Sequence, residues 1–264
     1  MKTPWTGYIK PFRMFGGLYF VGTRPASTHI IDTGDGLIML DSGYPQSLYL
    51  VTEGIREMGF SPMDVKYIIH SHGHYDHLGA TKALVELTGA KTFIGEQDVP
   101  YANGTLNLTW ANELGYEYVE AFEPDVALKD GDTIELGNVC IKAIHTPGHT
   151  PGAMSYFFDL EENGRVVRAG TFGGVGVNTL RKSFLDKYNL PYSYRDDFVN
   201  SIKKIRNEKV DLNIGNHAHC NDTEGKLARM GKEAENPFID PTEFARFADS
   251  TLEMYNEIIV RRGE

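Results

Sequence analysis

The sequence is poor in cysteine, with only Cys140 and Cys220 in 264 residues. Two thiols cannot make a disulfide framework, so the chain must rely on a buried core, which its length permits. The pair is expected as two free thiols. Positive charge is also short: 26 Lys and Arg stand against 36 Asp and Glu, a formal net charge of -10. That balance argues against a phosphate-backbone surface and against an anionic membrane, so neither nucleic acid nor membrane is an expected partner. No apolar run approaches the ~18 residues of a membrane span. The stretch Met1-Lys2-Thr3-Pro4-Trp5-Thr6-Gly7-Tyr8 lacks the apolar core of a secretory signal, which makes the cytoplasm the expected location. Repeats and low-complexity tracts are missing as well.

Glycine, by contrast, is plentiful at 28 residues, which points to many tight turns between short strands. Short apolar runs at 18–21, 28–33, 37–41, 65–70, 91–94, 133–135, 139–144, 153–159 and 166–169 read as strands, and 210–214 as a buried one. Helical patterns cover 47–58, about 79–87 (closed by Gly89), and 196–207. Residues 99–128, rich in asparagine and aromatics, read as a surface loop or a short helix. The last helix, 241–262, has Asp240 as expected N-cap, Pro241 at its first position and Glu243 completing a capping box. Strands alternating with helices in two rounds suggest two helix-covered sheets, a pattern that an open α/β sheet would share.

Eight of nine histidines fall in three clusters, each after a strand-like run: His70, His72, His74 and His77; His145 and His149; His217 and His219. In an extended segment His72 and His74 point the same way, and Asp76 and His77 follow where the chain turns into a helix. One segment thus offers imidazoles to one side and a carboxylate with an imidazole to the other. Neutral imidazole and carboxylate are good Zn²⁺ ligands, and two such ions can act together on one bond. In the second cluster the stiff Pro147-Gly148 and Pro151-Gly152 turns aim His149 inward, leaving His145 a structural, backbone-bonding role. In the third, His217 is the expected ligand with His219 as alternative, and Cys220 reads as a small buried thiol. His70 and His29 read as ordinary strand residues.

With these clusters in place, the chain resembles the metallo-β-lactamase superfamily. Leu40-Asp41-Ser42-Gly43, the His-x-His-x-Asp-His run at 72–77, Pro147 to Gly152 and a late strand ending at His217 match the family's elements in order. The resemblance implies one domain spanning 1–264 with an αββα sandwich and two zinc ions at one edge of the sheets. It assigns His72, His74 and His149 to the first ion, and Asp76, His77 and His217 to the second. Asp41 would steady the ligand loop by hydrogen bonds.

Many hydrolases of the family, thioesterases and lactonases among them, carry a bridging aspartate after a late strand, and two lactamase subclasses carry a cysteine there. Here the segment Arg168 to Gly176 has neither. That absence, with Asn236 to Pro241 and the helix beyond, is similar to the third lactamase subclass. The glycine-rich segment reads as a tight turn at the site mouth, and Thr171 as a side chain able to bond a substrate carboxylate. The resemblance implies a hydroxide attacking a β-lactam-like cyclic amide, with Asp76 orienting it. A lactone, thioester or other small ester is the alternative small-molecule substrate, and a non-catalytic metal-binding protein the second alternative. Zinc is the expected metal, with Fe, Mn and Co also suited to such donors.

Overall fold

The computed structural model describes residues 3–116 and 120–264. The first half opens with β1 (Phe12–Phe15), β2 (Leu18–Phe20), β3 (His29–Asp32) and β4 (Leu37–Leu40), then α1 (Leu48–Glu57), β5 (Val65–Ile69), α2 (Tyr75–Leu78) and α3 (Thr81–Thr88). It continues with β6 (Lys91–Gly95), α4 (Val99–Ala102) and β7 (Val126–Leu128). The second half comprises β8 (Thr133–Leu136), β9 (Val139–His145), β10 (Met154–Glu162), β11 (Arg165–Thr171), α5 (Lys182–Tyr188), α6 (Ser193–Ile205), β12 (Leu212–Asn213), α7 (Thr223–Arg229) and α8 (Glu243–Tyr255).

β1 to β7 form one sheet in sequence order, antiparallel as far as β4 and parallel beyond it. The second sheet runs β12-β11-β10-β9-β8. Side chains alternate across both sheets, and this alternation builds the layers. On β4, Ile38 and Leu40 enter a core shared with Ile141, Ala143, Tyr156 and Phe158 of the other sheet. Leu37 and Met39 instead meet Val51 and Ile55 of α1 and Leu84 of α3. On β10, Phe157 turns the opposite way from its neighbours and packs with Phe198 of α6 and Phe244 of α8. The result is helix, sheet, sheet, helix: the sandwich expected, rather than an open sheet.

Gly89 closes α3 in the left-handed conformation, φ +70°. The last helix departs from expectation. It starts at Glu243, with Thr242 at the cap and no capping side chain. Asp240 folds back on Thr242 instead, accepting from its N–H at 2.9 Å and its hydroxyl at 2.6 Å. Glu243 is drawn into an ion pair with Lys226, so it cannot complete a capping box, and α8 passes into a π-helical segment at Asn256–Arg261. The uncertain 99–128 stretch holds α4, a 3-10 turn at Asn112–Leu114 and β7; its residues 117–119 lie outside the described residues. No helix among the described residues is long and apolar enough to cross a membrane.

Candidate metal centre

The histidine clusters converge where strands of both sheets end. His72 and His74 follow β5, Asp76 and His77 lie on the short α2, His149 follows β9, and His217 follows β12. One potential ligand atom from each of His72, His74 and His149 lies within 4.8 Å of the others, and the same holds for His72, Asp76 and His77. His217 stands beside the second group. Its Nε2 is 3.9 Å from Asp76 Oδ2, and its ring is 5.1 Å from that of His77.

The rings are aimed by what holds their far side. His72 Nδ1 donates to Gly173 O at 2.8 Å and His149 Nδ1 to Gly176 O at 2.7 Å. His217 Nδ1 donates to Pro25 O at 2.5 Å, and His77 Nδ1 to Asp41 Oδ2 at 2.8 Å. A carbonyl can only accept, so the Nδ1 atoms of His72, His149 and His217 carry the proton and, in the neutral ring, Nε2 keeps its lone pair. The Nε2 atoms of His72 and His74 are buried without a hydrogen-bond partner, and that of His77 faces only the Asp76 carboxylate, at 3.3 Å. Buried polar atoms are otherwise almost always satisfied, so two orphaned imidazole nitrogens beside an imidazole–carboxylate pair fit a metal ion: the donor set is nitrogen and oxygen, the chemistry zinc accepts.

Burial, and then neighbouring imidazoles, hold His72 and His74 well below the ordinary histidine range. Burial lowers His149 to about 4. These three are neutral at neutral pH, the form that ligates. His77 is the opposite case. Burial opposes its charge, but Asp76 and Asp41 on either side outweigh burial and raise it to about 10. Burial would raise Asp76, yet His77, His217 and His74 together pull its carboxyl far below the usual range.

The glycine-rich loop after β11 does more than turn. Its carbonyls at Gly173 and Gly176 fix two of the histidines, and Gly173 N donates to Ser155 Oγ at 3.1 Å. A Cβ on Gly174 would sit 2.6 Å from His149 Cβ, and one on Gly173 would sit 2.2 Å from Met154 O. The glycines are there because His149 and β10 pass so close. Thr171, by contrast, is buried in β11 with Oγ1 unpartnered, and it is not among the side chains lining the cleft.

Asp41 holds the whole motif. It takes the left-handed conformation, φ +57°, and its carboxylate accepts from Ser71 N and Ser71 Oγ, both at 2.7 Å, as well as from His77. His70 is buried, bonded to Phe93 O and Thr81 Oγ1. His145 Nε2 donates to Pro151 O at 2.8 Å, a backbone role as expected. His219 is exposed and stacks on His217. Cys140 and Cys220 are both free, and Cys220 is buried.

The cleft above the histidines is walled by Tyr44, Trp110, Leu114, Val175 and Met254, with Asn178 and His219 among the polar side chains. Among the described residues no Lys or Arg lines it. Sequence reading did not single out Trp110, Asn178 or Met254, whose relevance arises from tertiary placement alone. It also passed over Asp98, a lone carboxylate in the Glu96-Gln97-Asp98 turn.

A family model described as the metallo-beta-lactamase superfamily matches residues 21–217. The structure superimposes on BJP-1, a subclass B3 metallo-beta-lactamase of Bradyrhizobium japonicum, with a TM-score of 0.89 at 29% identity, covering 99% of this chain and 98% of that one. An N-acyl homoserine lactonase of a Bacillus species is 29% identical over 169 residues, 54% of this chain and 62% of the lactonase. The hydroxyacylglutathione hydrolase GloC of Haemophilus influenzae is 26% identical over 188 residues, 67% of this chain and 77% of that enzyme.

Proposed function

The chain belongs to the metallo-beta-lactamase superfamily, and we propose that it is a di-zinc hydrolase acting on a strained cyclic amide of the β-lactam kind. The observation that carries this is the convergence of two three-residue donor groups, His72 with His74 and His149 and His72 with Asp76 and His77, in which the buried Nε2 atoms of His72 and His74 have no hydrogen-bond partner. In this reading His72, His74 and His149 hold one ion, and Asp76, His77 and His217 the other. When bound, zinc supplies Lewis acidity and a water acidic enough to lose its proton near neutral pH.

The chain's own residues do the rest. Asp76, kept ionised by His77, accepts a hydrogen bond from the attacking water and orients it. The carbonyls of Gly173, Gly176 and Pro25 and the Asp41 carboxylate keep the histidines in the tautomer that ligates. Trp110, Leu114, Val175 and Met254 exclude bulk water from the cleft. Because Met254 belongs to α8, residues 1–264 work as one catalytic unit. Full-length likeness to a subclass B3 enzyme, and the missing carboxylate after β11, support the amide over other substrates.

A lactone or small ester is the second reading. It is favoured by the absence of any Lys or Arg lining the cleft among the described residues, since a neutral substrate needs no cation there. The deciding experiment is a parallel assay of zinc-loaded protein on nitrocefin, acyl homoserine lactones and a glutathione thioester. Nitrocefin turnover above the others supports the amide reading, and lactone turnover without nitrocefin turnover replaces it. No turnover of any, with two zinc equivalents bound, overturns both.

A further inference from the structure

Asp98 lies at the end of the 3-10 turn after β6 and is completely buried. Its Oδ2 accepts from Gly73 N at 2.7 Å and from Thr150 Oγ1 at 2.6 Å, and its Oδ1 accepts from Gly152 N at 2.7 Å. Gly73 stands between His72 and His74, and Thr150 directly follows His149. One carboxylate thus grips both loops that carry the three-histidine group, without touching a histidine of that group.

The grip is tight enough to dictate sequence. A Cβ on Gly152 would lie 2.4 Å from Asp98 N and 2.7 Å from its Cβ and Cγ. A Cβ on Gly73 would lie 2.8 Å from Tyr101 Cβ and 3.2 Å from Asp98 Oδ2. Among the described residues no Lys or Arg pairs with Asp98, so the carboxylate is buried against hydrogen-bond donors alone. Burial pushes its carboxyl up to about 6 even with those three donors in place, so it is still mainly ionised at neutral pH. A buried carboxylate without a countercharge is an expensive way to join two loops that apolar packing could join. What it gives in return is a fixed spacing, since both oxygens are used and each donor sits at a short, directional distance.

We propose that Asp98 is a positioning residue that sets the separation of His72 and His74 from His149, and through it the strength of that half of the centre. This rests on the metal-binding reading above. An asparagine at 98 would turn an N–H₂ toward at least one of the three donors, so the two loops would move apart. The Asp76, His77 and His217 half is held by other groups, Asp41 at His77 and Pro25 O at His217.

The test compares wild type, Asp98→Asn and Thr150→Val, the last removing one donor while keeping the carboxylate. Zinc affinity is measured by competition with a chromophoric chelator. Cobalt-loaded protein gives a d–d spectrum, and hydrogen exchange at Gly73 and Gly152 is followed in the zinc-free protein. Expected for Asp98→Asn are one zinc equivalent weakened about 10- to 100-fold, the other unchanged, an altered cobalt spectrum, and faster exchange at both amides. Thr150→Val shows the same pattern more weakly, and stands alone if Asp98→Asn does not fold. Two zinc equivalents of unchanged affinity, or an equal loss at both sites with only a lower Tm, overturns the positioning role. Wild-type protein that binds no zinc overturns both this role and the metal reading.

Discussion

His77 donates from Nδ1 to Asp41 at 2.8 Å, and Asp41 stands in the left-handed region to receive it. Aspartate tolerates that conformation better than most residues, and the same carboxylate also takes both donors of Ser71. Asp41→Asn keeps the size and the backbone preference but removes the charge and one acceptor. Zinc affinity at the Asp76, His77 and His217 half should fall about 10- to 100-fold. Chelator competition measures it, and an unchanged second equivalent would remove Asp41 from the account.

The metal-free protein should have a stability maximum bounded on both sides by histidines. His149, lowered from 6.5 to about 4, and His72 and His74, lowered well below 6.5, stay neutral in the fold. The unfolded chain binds more protons below 6.5, so their contribution is lost as pH falls from 6.5 toward 4. His77, raised from 6.5 to about 10, binds its proton better when folded. Its contribution is therefore full below 6.5 and lost as pH rises through about 10. Urea midpoints of chelator-treated protein across pH 4 to 10 test both limbs, and His77→Gln should flatten only the alkaline one. A midpoint independent of pH contradicts the assignment.

Gly174→Ala should damage the centre without replacing a ligand. The added methyl would lie 2.6 Å from His149 Cβ and 2.9 Å from its Cδ2, so the ring or the loop must move. Overpacking of this kind costs about 1–3 kcal/mol, and the displaced imidazole should lower kcat/KM by about tenfold or more. A variant with wild-type Tm and kinetics would mean that the loop gives way freely.

Lys226 and Glu243 form an ion pair at 2.6 and 2.5 Å, with side chains only 6% and 13% exposed. The Lys226 ammonium also sits 5.4 Å over the Phe238 ring. Lys226→Met strands the carboxylate and should reduce stability by about 3–5 kcal/mol, while adding Glu243→Leu should restore most of it. Equal losses in the single and double variants would show that packing, not charge, matters between α7 and α8.

The centre was legible in sequence where chemistry is carried by side chains close together in the chain. His72, His74, Asp76 and His77 announced themselves through residue type and spacing, and the layers followed from alternating strands such as Leu37 to Leu40. What resisted reading depends on backbone atoms or distant partners. His217 could not be separated from His219, because its aim comes from the carbonyl of Pro25, 192 residues away. Gly173 and Gly176 looked like turn residues because they act through carbonyls that any residue has. For Thr171 the sequence could not say that the hydroxyl would be buried, unpartnered and outside the cleft lining. Asp98 carries no motif. The start of α8 was misplaced because Glu243 had a tertiary partner, Lys226, that local pattern could not reveal. β1, β7, α5 and α7 escaped notice as short elements of three to seven residues, which tertiary contacts hold more than propensity does.

The His72–Gly173 hydrogen bond has a consequence for the chain as a whole. His72 comes from the first sheet's half, Gly173 from the second's, and the ligand groups are divided in the same way. Neither half carries a complete centre. Severing the backbone in the exposed link between β7 and β8, at Asp130-Gly131, would leave two inert pieces whose reunion alone rebuilds the catalytic cluster. In such a split chain the His72, Asp76 and His77 group would stay within the first piece, so only occupancy that includes His149 or His217 would report that the halves have found each other in register.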